Sequence, residues 1–249
     1  PLGTWIGQHF GWRATFLVVS VLGVLALIGS AILVPNNLKK SVPATFAQQL
    51  KVLTHPRLLL VYLITILGYG GTFTAFTYLA PLLQDVSGFN EGAISLIMLV
   101  YGISVAIGNI QGGKLADRMG PIRALTLIFG GLIVILGVLT FTAANPITAV
   151  ITILIWGAFA FGNVPGLQVY VVQQAERFVP QAVDVASGLN IAAFNIGIAL
   201  GSIVGGQVVS GMALTDTAWI GALIVTAALL LTLLAGRLDK RHASSIATA

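Results

Sequence analysis

The sequence predicts an all-α, polytopic membrane protein, and three observations carry that expectation. Asp, Glu, Lys and Arg make up only 8% of its 249 residues, where a soluble domain carries roughly a quarter. Charge-free apolar runs of about 20 residues recur along the chain, the length a helix needs to cross a ~30 Å hydrocarbon core. Backbone polar groups cannot stay unpaired in lipid, so runs this long must be helical. The strands of an outer-membrane barrel would be about half as long and alternate in polarity, a pattern the sequence lacks.

Taken in order, residues 1–8 read as the last turns of a span whose beginning is missing, and the chain, which starts at Pro1, reads as a fragment. A first complete span covers 12–34 and ends at Pro35-Asn36-Asn37. A basic linker, 35–56, follows. Within it Phe46, Leu50 and Leu53 recur at helical spacing and predict a short amphipathic helix along the interface. The second span, 57–83, is expected to break at Gly68-Tyr69-Gly70-Gly71. The third (92–112) and fourth (122–143) flank a charged hairpin. The fifth, 147–172, is expected to bend near Trp156-Gly157 and at Pro165-Gly166. The sixth, 185–210, is rich in small residues, and the seventh, 218–236, leads into a polar tail at 237–249.

Seven spans alternate the loops between two sides. Lys39, Lys40, Lys51, Arg57, Lys114, Arg118, Arg123, Arg177, Arg237, Lys240 and Arg241 then fall on one side and only Arg13 on the other. By the positive-inside rule the linker, the hairpin and the C-terminus are cytoplasmic. Topology therefore accounts for the formal net charge of +5 without nucleic acid. An internal echo supports a six-helix period: Leu2-Gly3-Thr4-Trp5-Ile6-Gly7-Gln8 resembles the stretch from Leu200 to Gln207, 198 residues on. Repeats of this size recur in secondary transporters, although a coincidence of Gly-rich spans is the plainer alternative.

No ionisable residue lies in the interior of a predicted span, and there are no cysteines. An intramembrane metal or haem site has no ligands in such a pattern. A membrane-embedded protease has no Ser–His or Asp–Asp pair, so no cofactor and no enzyme are expected. What remains inside is neutral. Gly197-xxx-Gly201-xxx-Gly205 forms a small-residue ridge for close helix packing. Asn109, Asn163, Gln168, Asn190 and Asn195 are costly to bury unpaired, so they either face a wet cavity or bond neighbouring helices. Ser187, Asn190 and Phe194 share one helical face. Tyr69, Thr74 and Tyr78 beside the glycine run, with Trp156, complete the cavity candidates; core packing is the alternative for each. Neutral aromatic and amide groups suit an amphipathic or sugar-like solute.

The hairpin from Gly113 to Arg123, Gly-Lys-Leu-Ala-Asp-Arg-Met-Gly-Pro-Ile-Arg, resembles the loop signature of the major facilitator superfamily. The opening run to Gly11-Trp12-Arg13 and the run from Ser187 to Gly197 are similar to the arabinose-efflux-permease type within its twelve-helix drug:proton antiporters. The resemblance implies the fifth to twelfth helices: the end of one six-helix half and all of the other. It implies that Gly113 permits close helix contact. Asp117 accepts hydrogen bonds from a helix N-terminus around residues 185–187. Arg118, Gly120 and Arg123 serve a conformational-switch loop, in which Pro121-Ile122 replaces the usual basic pair. It further implies a monomeric, proton-coupled efflux transporter of the inner membrane. Its substrate is a small molecule and its coupling carboxylate lies outside this sequence. A receptor or scaffold, or a uniporter or importer of the same fold, is the alternative.

Overall fold

The computed structural model describes residues 6, 7, 10–35 and 45–247, with side chains as far as 241. Lys39, Lys40 and most of the opening run that carries the internal echo lie outside the described residues. Among the described residues seven helical segments are long and apolar enough to cross a membrane, the number expected. The chain divides into two units, residues 1–43 and 44–249.

The first unit contributes α1 (Trp12–Leu33), introduced by Gly11 at φ 82°. In the second, α2 (Phe46–Thr54) is the expected amphipathic helix. Thr45 and Gln48 close its start reciprocally, and Phe46, Leu50 and Leu53 are exposed while Val52 is buried. The six spans that follow are α3 (Pro56–Phe76) with a short continuation, α4 (Glu91–Met119), α5 (Pro121–Thr142), the pair α6 (Pro146–Ala160) and α7 (Asn163–Phe178), α8 (Val183–Gly211) and α9 (Asp216–Ala247). α3 is the central helix and packs on α8 and α9; α9 also packs on α5, and α4 lies against α6 and α7.

Four expectations about helix ends are corrected. α3 runs unbroken through its glycines and stops only at Thr77–Tyr78, before Leu79–Pro81 and a π-helical turn, Leu82–Val86. The cause is Pro81, which has no N–H and whose ring crowds the carbonyl four residues back, on Thr77. The fifth span likewise passes straight through Trp156-Gly157. It breaks at Phe161–Gly162, four residues before Pro165. Lys114, Asp117 and Arg118 are not in a loop but on the last turns of α4, and the hairpin itself is Gly120 alone, at φ 81°. A β-carbon is disfavoured at that φ, and Pro121 suits the first turn of α5. Finally, α9 does not stop near residue 236; it carries Arg237 to Arg241 on continuous helix.

Contacts between loops agree with the alternation. Ser87, after α3, donates to the Ala143 carbonyl after α5 at 2.7 Å. Arg57 at the start of α3 meets Asp239 near the end of α9.

Candidate functional site

Side chains of α3 organise the second unit into layers, read here from the hairpin side. At the first turn, Arg57 pairs with Asp239 at 3.5 Å and donates to the Leu238 carbonyl at 3.0 Å. The other Asp239 oxygen accepts from Tyr170 at 2.9 Å, and Gln174 donates to the same carboxylate at 3.3 Å. Three helices thus meet at one carboxylate. Beside it His55 stacks on Phe178 at 4.7 Å. Burial, and then the neighbouring Arg57 charge, lower its pKa below the ordinary histidine value.

About two turns further along α3, Thr65 donates to Asn190 at 2.7 Å. Asn190 donates to Gln168 at 3.3 Å, and Gln168 donates to Ser187. Of the sequence candidates, Gln168 and Asn190 are therefore brought together in one chain of bonds across α3, α7 and α8. Asn190 is buried and Gln168 half-buried.

The next layer is aromatic. Tyr69 lies against Phe194 with ring centroids 3.5 Å apart and meets Phe161 edge-on at 6.1 Å. Phe73 and Phe76 continue the row, and Phe76 stacks on Tyr101 at 5.4 Å. Tyr101 meets Trp156 at 5.8 Å. Tyr69 and Trp156 are fully buried, yet the hydroxyls of Tyr69 and Tyr101 and the Trp156 indole nitrogen have no hydrogen-bond partner among the described residues. Buried polar atoms normally find partners, so three orphans in one aromatic layer single it out.

The other candidates bond elsewhere, Tyr78 and Asn109 across helices and Thr74, Asn163 and Asn195 within their own helix or turn. The Thr74 hydroxyl bonds back to Gly70 in its own helix at 2.8 Å. Tyr78 lies over Gly205 and Gly206 and donates to the Ser202 carbonyl at 3.3 Å. Asn109 reaches from α4 to the Phe161 carbonyl at 3.3 Å, an acceptor that Pro165 cannot serve. Asn163 bonds weakly within its own turn at 3.4 Å, and Asn195 is exposed and bonds its own helix at 2.8 Å. These five are not drawn into the Gln168–Asn190 chain.

The glycines of α8 lie close to the α3 backbone. A β-carbon on Gly197 would come within 2.6 Å of the Ile66 carbonyl oxygen, and those on Gly201 and Gly205 would strike the backbone at Gly70 and Thr74. Near the hairpin, the close contact expected at Gly113 belongs instead to its neighbour. A β-carbon on Gly112 would strike the Gly162 backbone, while one on Gly113 would meet Pro165 at an ordinary 3.7 Å. Asp117, Arg118 and Arg123 are exposed. Asp117 makes no hydrogen bond at residues 185–187: α4 packs on α5, α6 and α7, whereas α8 packs chiefly on α3, α7 and α9.

Sequence reading missed Thr65, Phe73, Phe76, Tyr101 and Phe161 in the wall, and Asp239 in the cluster. All five wall residues sit in charge-free runs, and Tyr69-xxx-Phe73-xx-Phe76 has helical spacing, so that signal was available. Asp239 carries none, standing among the charges of a tail.

The family model described as Major Facilitator Superfamily matches residues 1–201. The chain is 55% identical over 241 residues to the MFS-type transporter YtbD of Bacillus subtilis (strain 168), covering 97% of this chain and 61% of that protein. It is 35% identical over 240 residues to the inner membrane transport protein YdhP of Escherichia coli (strain K12), covering 95% and 60%. It therefore spans about three-fifths of the length of these relatives. Among solved structures, a bacterial homologue of the iron transporter ferroportin in an outward-facing state superposes with a TM-score of 0.63 at 18% identity. That match covers 91% of this chain and 57% of the other, and the likeness is one of fold.

Proposed function

From the premise that this chain belongs to the Major Facilitator Superfamily, we propose that the whole protein is a secondary active transporter working by alternating access. Its solute path runs past the aromatic and amide layers of α3, α4 and α6–α8. The observation that carries this reading is the set of unpartnered donors in that wall: Tyr69, Tyr101 and Trp156. Such donors suit a solute that offers hydroxyl or carbonyl oxygens beside apolar surface, of amphipathic or sugar-like kind. Tyr69, Trp156, Gln168 and Asn190 are then the solute-facing set among the sequence candidates. No ionisable side chain lies at mid-span in the wall, so a coupling proton binds to residues outside this sequence. Efflux by proton antiport in the inner membrane, by a monomer, follows from the same resemblance.

Tyr69→Phe and Tyr101→Phe test the wall cleanly. Each removes a hydroxyl that bonds nothing among the described residues, so insertion and thermal stability hold or rise by about 1 kcal/mol. Solute flux driven by a pH gradient, in liposomes holding the full-length protein, is expected to fall at least about tenfold, the worth of one buried hydrogen bond to a solute. Undiminished flux in both variants removes the wall from the path.

Asp117, unbonded at the end of α4, is proposed as the switch residue, meeting a helix N-terminus outside the described residues in one of the two access states. Orientation is tested separately. A cysteine replacing Lys114 should react with a reagent confined to the cytoplasm, and one replacing Asp85 should not; the opposite pattern inverts the topology.

A further inference from the structure

On the hairpin side, the start of α5 and the end of α9 line a cavity of about 770 Å³. Neither helix contributes a ring to the aromatic layer or a bond to the Gln168–Asn190 chain. Three cations line the cavity: Arg123 on the first turn of α5, and Arg237 and Lys240 on the last turns of α9. All three are exposed. Arg123 and Arg237 form no ion pair or hydrogen bond among the described residues.

The carboxylate that shares this cavity forms no ion pair with Arg123 or Arg237. Asp239 is already engaged on both oxygens by Arg57, Tyr170 and Gln174. The start of α5 adds to the positive field. Gly120 supplies no side-chain cap there, and the backbone N–H groups of the first turn face the same end as the cations.

Thr126, Tyr170 and Gln173 add polar side chains to the lining, and the rest of it is apolar. Ile122, Leu127 and Leu233 form its walls. Leu127 is 55% exposed and Leu233 40%. From them two exposed stripes run along the spans, Val134, Val138 and Phe141 on α5 and Leu230 and Leu223 on α9. A basic mouth at the depth where a span ends, continued by an apolar track along it, matches an amphiphile with an anionic head. A soluble anion would use the mouth and leave the track bare. Clustered Arg and Lys at this depth draw anionic headgroups, and their long side chains reach the interface from within the span.

We propose that this cavity is a binding site for an anionic phospholipid of the hairpin-side leaflet. Arg123, Arg237 and Lys240 hold the headgroup phosphate, and the acyl chains lie along Leu127 and Leu233. The occupied site spans the start of α5 and the end of α9, beside the point where Gly236 packs closely on Ile122.

The full-length protein in neutral detergent, titrated with phosphatidylglycerol or phosphatidylcholine and read by native mass spectrometry, tests this. Phosphatidylglycerol is expected to bind about tenfold more tightly than phosphatidylcholine. Arg123→Gln/Arg237→Gln should abolish that preference, and Arg118→Gln, on the same side but outside the cavity, should keep it. Should the double variant fail to fold, Lys240→Gln alone gives the same readout with about a threefold loss. Equal binding of the two lipids, or a preference that survives removal of the cations, overturns the proposal. Displacement of phosphatidylglycerol by millimolar glycerol 3-phosphate or inorganic phosphate also overturns it, assigning the cavity to a soluble anion.

Discussion

Two glycine seams hold the bundle, and they are built differently. Along α3–α8, Gly70, Gly197, Gly201 and Gly205 bring two unbroken helices into backbone contact. Side-chain bonds close both ends of that seam, Thr65 to Asn190 at 2.7 Å and Thr77 to Ser202 at 2.8 Å. Along α4, Gly108 and Gly112 press on Ala158 and Gly162, but the partner helix is broken at Phe161–Gly162. One amide, Asn109, stitches that break by donating to the Phe161 carbonyl, which Pro165 cannot serve and which within its own chain segment accepts only a turn bond from Val164. A seam between whole helices distributes its stability over its length. A seam against a broken helix concentrates it at the stitch, and is where a small change can bend the wall.

The largest effect is expected where the first seam is tightest. Gly201→Leu drives a four-carbon side chain into the Gly70 backbone, which neither helix can vacate without separating. Overpacking by one or two methylenes already costs about 1–3 kcal/mol, so Leu here should abolish both transport and the monodisperse state in detergent. Gly112→Leu, against a helix already broken, should leave a folded protein with reduced flux, as judged by size exclusion and liposome uptake. If Gly201→Leu transports normally, the seam is not the tight contact its geometry implies.

Bonds are worth less than backbone clashes. Asn109→Ala removes the stitch and should cost about 0.6 kcal/mol, at most about 1.7, the range for hydrogen bonds between membrane helices. Its flux should nonetheless fall more than that of Thr65→Ala, because the α3–α8 seam keeps its glycines when one end bond is lost. Equal losses in thermal stability and flux for the two variants would erase the distinction between the seams.

The same contrast explains what could be read from residues alone. The seven spans were legible because charge-free length is a direct consequence of the lipid core, and the α8 ridge because its four-residue spacing survives as a straight helix. The breaks were not, since glycine looks like the weak point of a helix. At Gly68 to Gly71 it is instead the point of closest packing, and the disruption comes from Pro81 and Pro165 acting four residues upstream. Gly108-xxx-Gly112 had the ridge's own spacing, but the resemblance to the loop signature placed the close contact at Gly113. The wall was half legible. Tyr69, Trp156, Gln168 and Asn190 were marked by residue type, whereas Tyr101 and Phe161 gain meaning only when α4 and the broken span converge on them. Asp239 needed the fold, because only continuous helix beyond residue 236 carries it to Arg57 and Tyr170.

The smallest effect separates Gly113 from its neighbour. A methyl on Gly113 would sit 3.7 Å from Pro165, an ordinary contact, whereas on Gly112 it would enter the Gly162 backbone. Gly113→Ala should therefore be neutral, or stabilise α4 by a few tenths of a kcal/mol through its higher helix propensity, with flux unchanged. Gly112→Ala should destabilise by about 1–3 kcal/mol. Thermal unfolding of the two full-length variants, followed by tryptophan fluorescence, decides between them. A reversed order would return the close contact to Gly113 and move the second seam one residue along α4, turning a different face of the helix toward the break at Phe161.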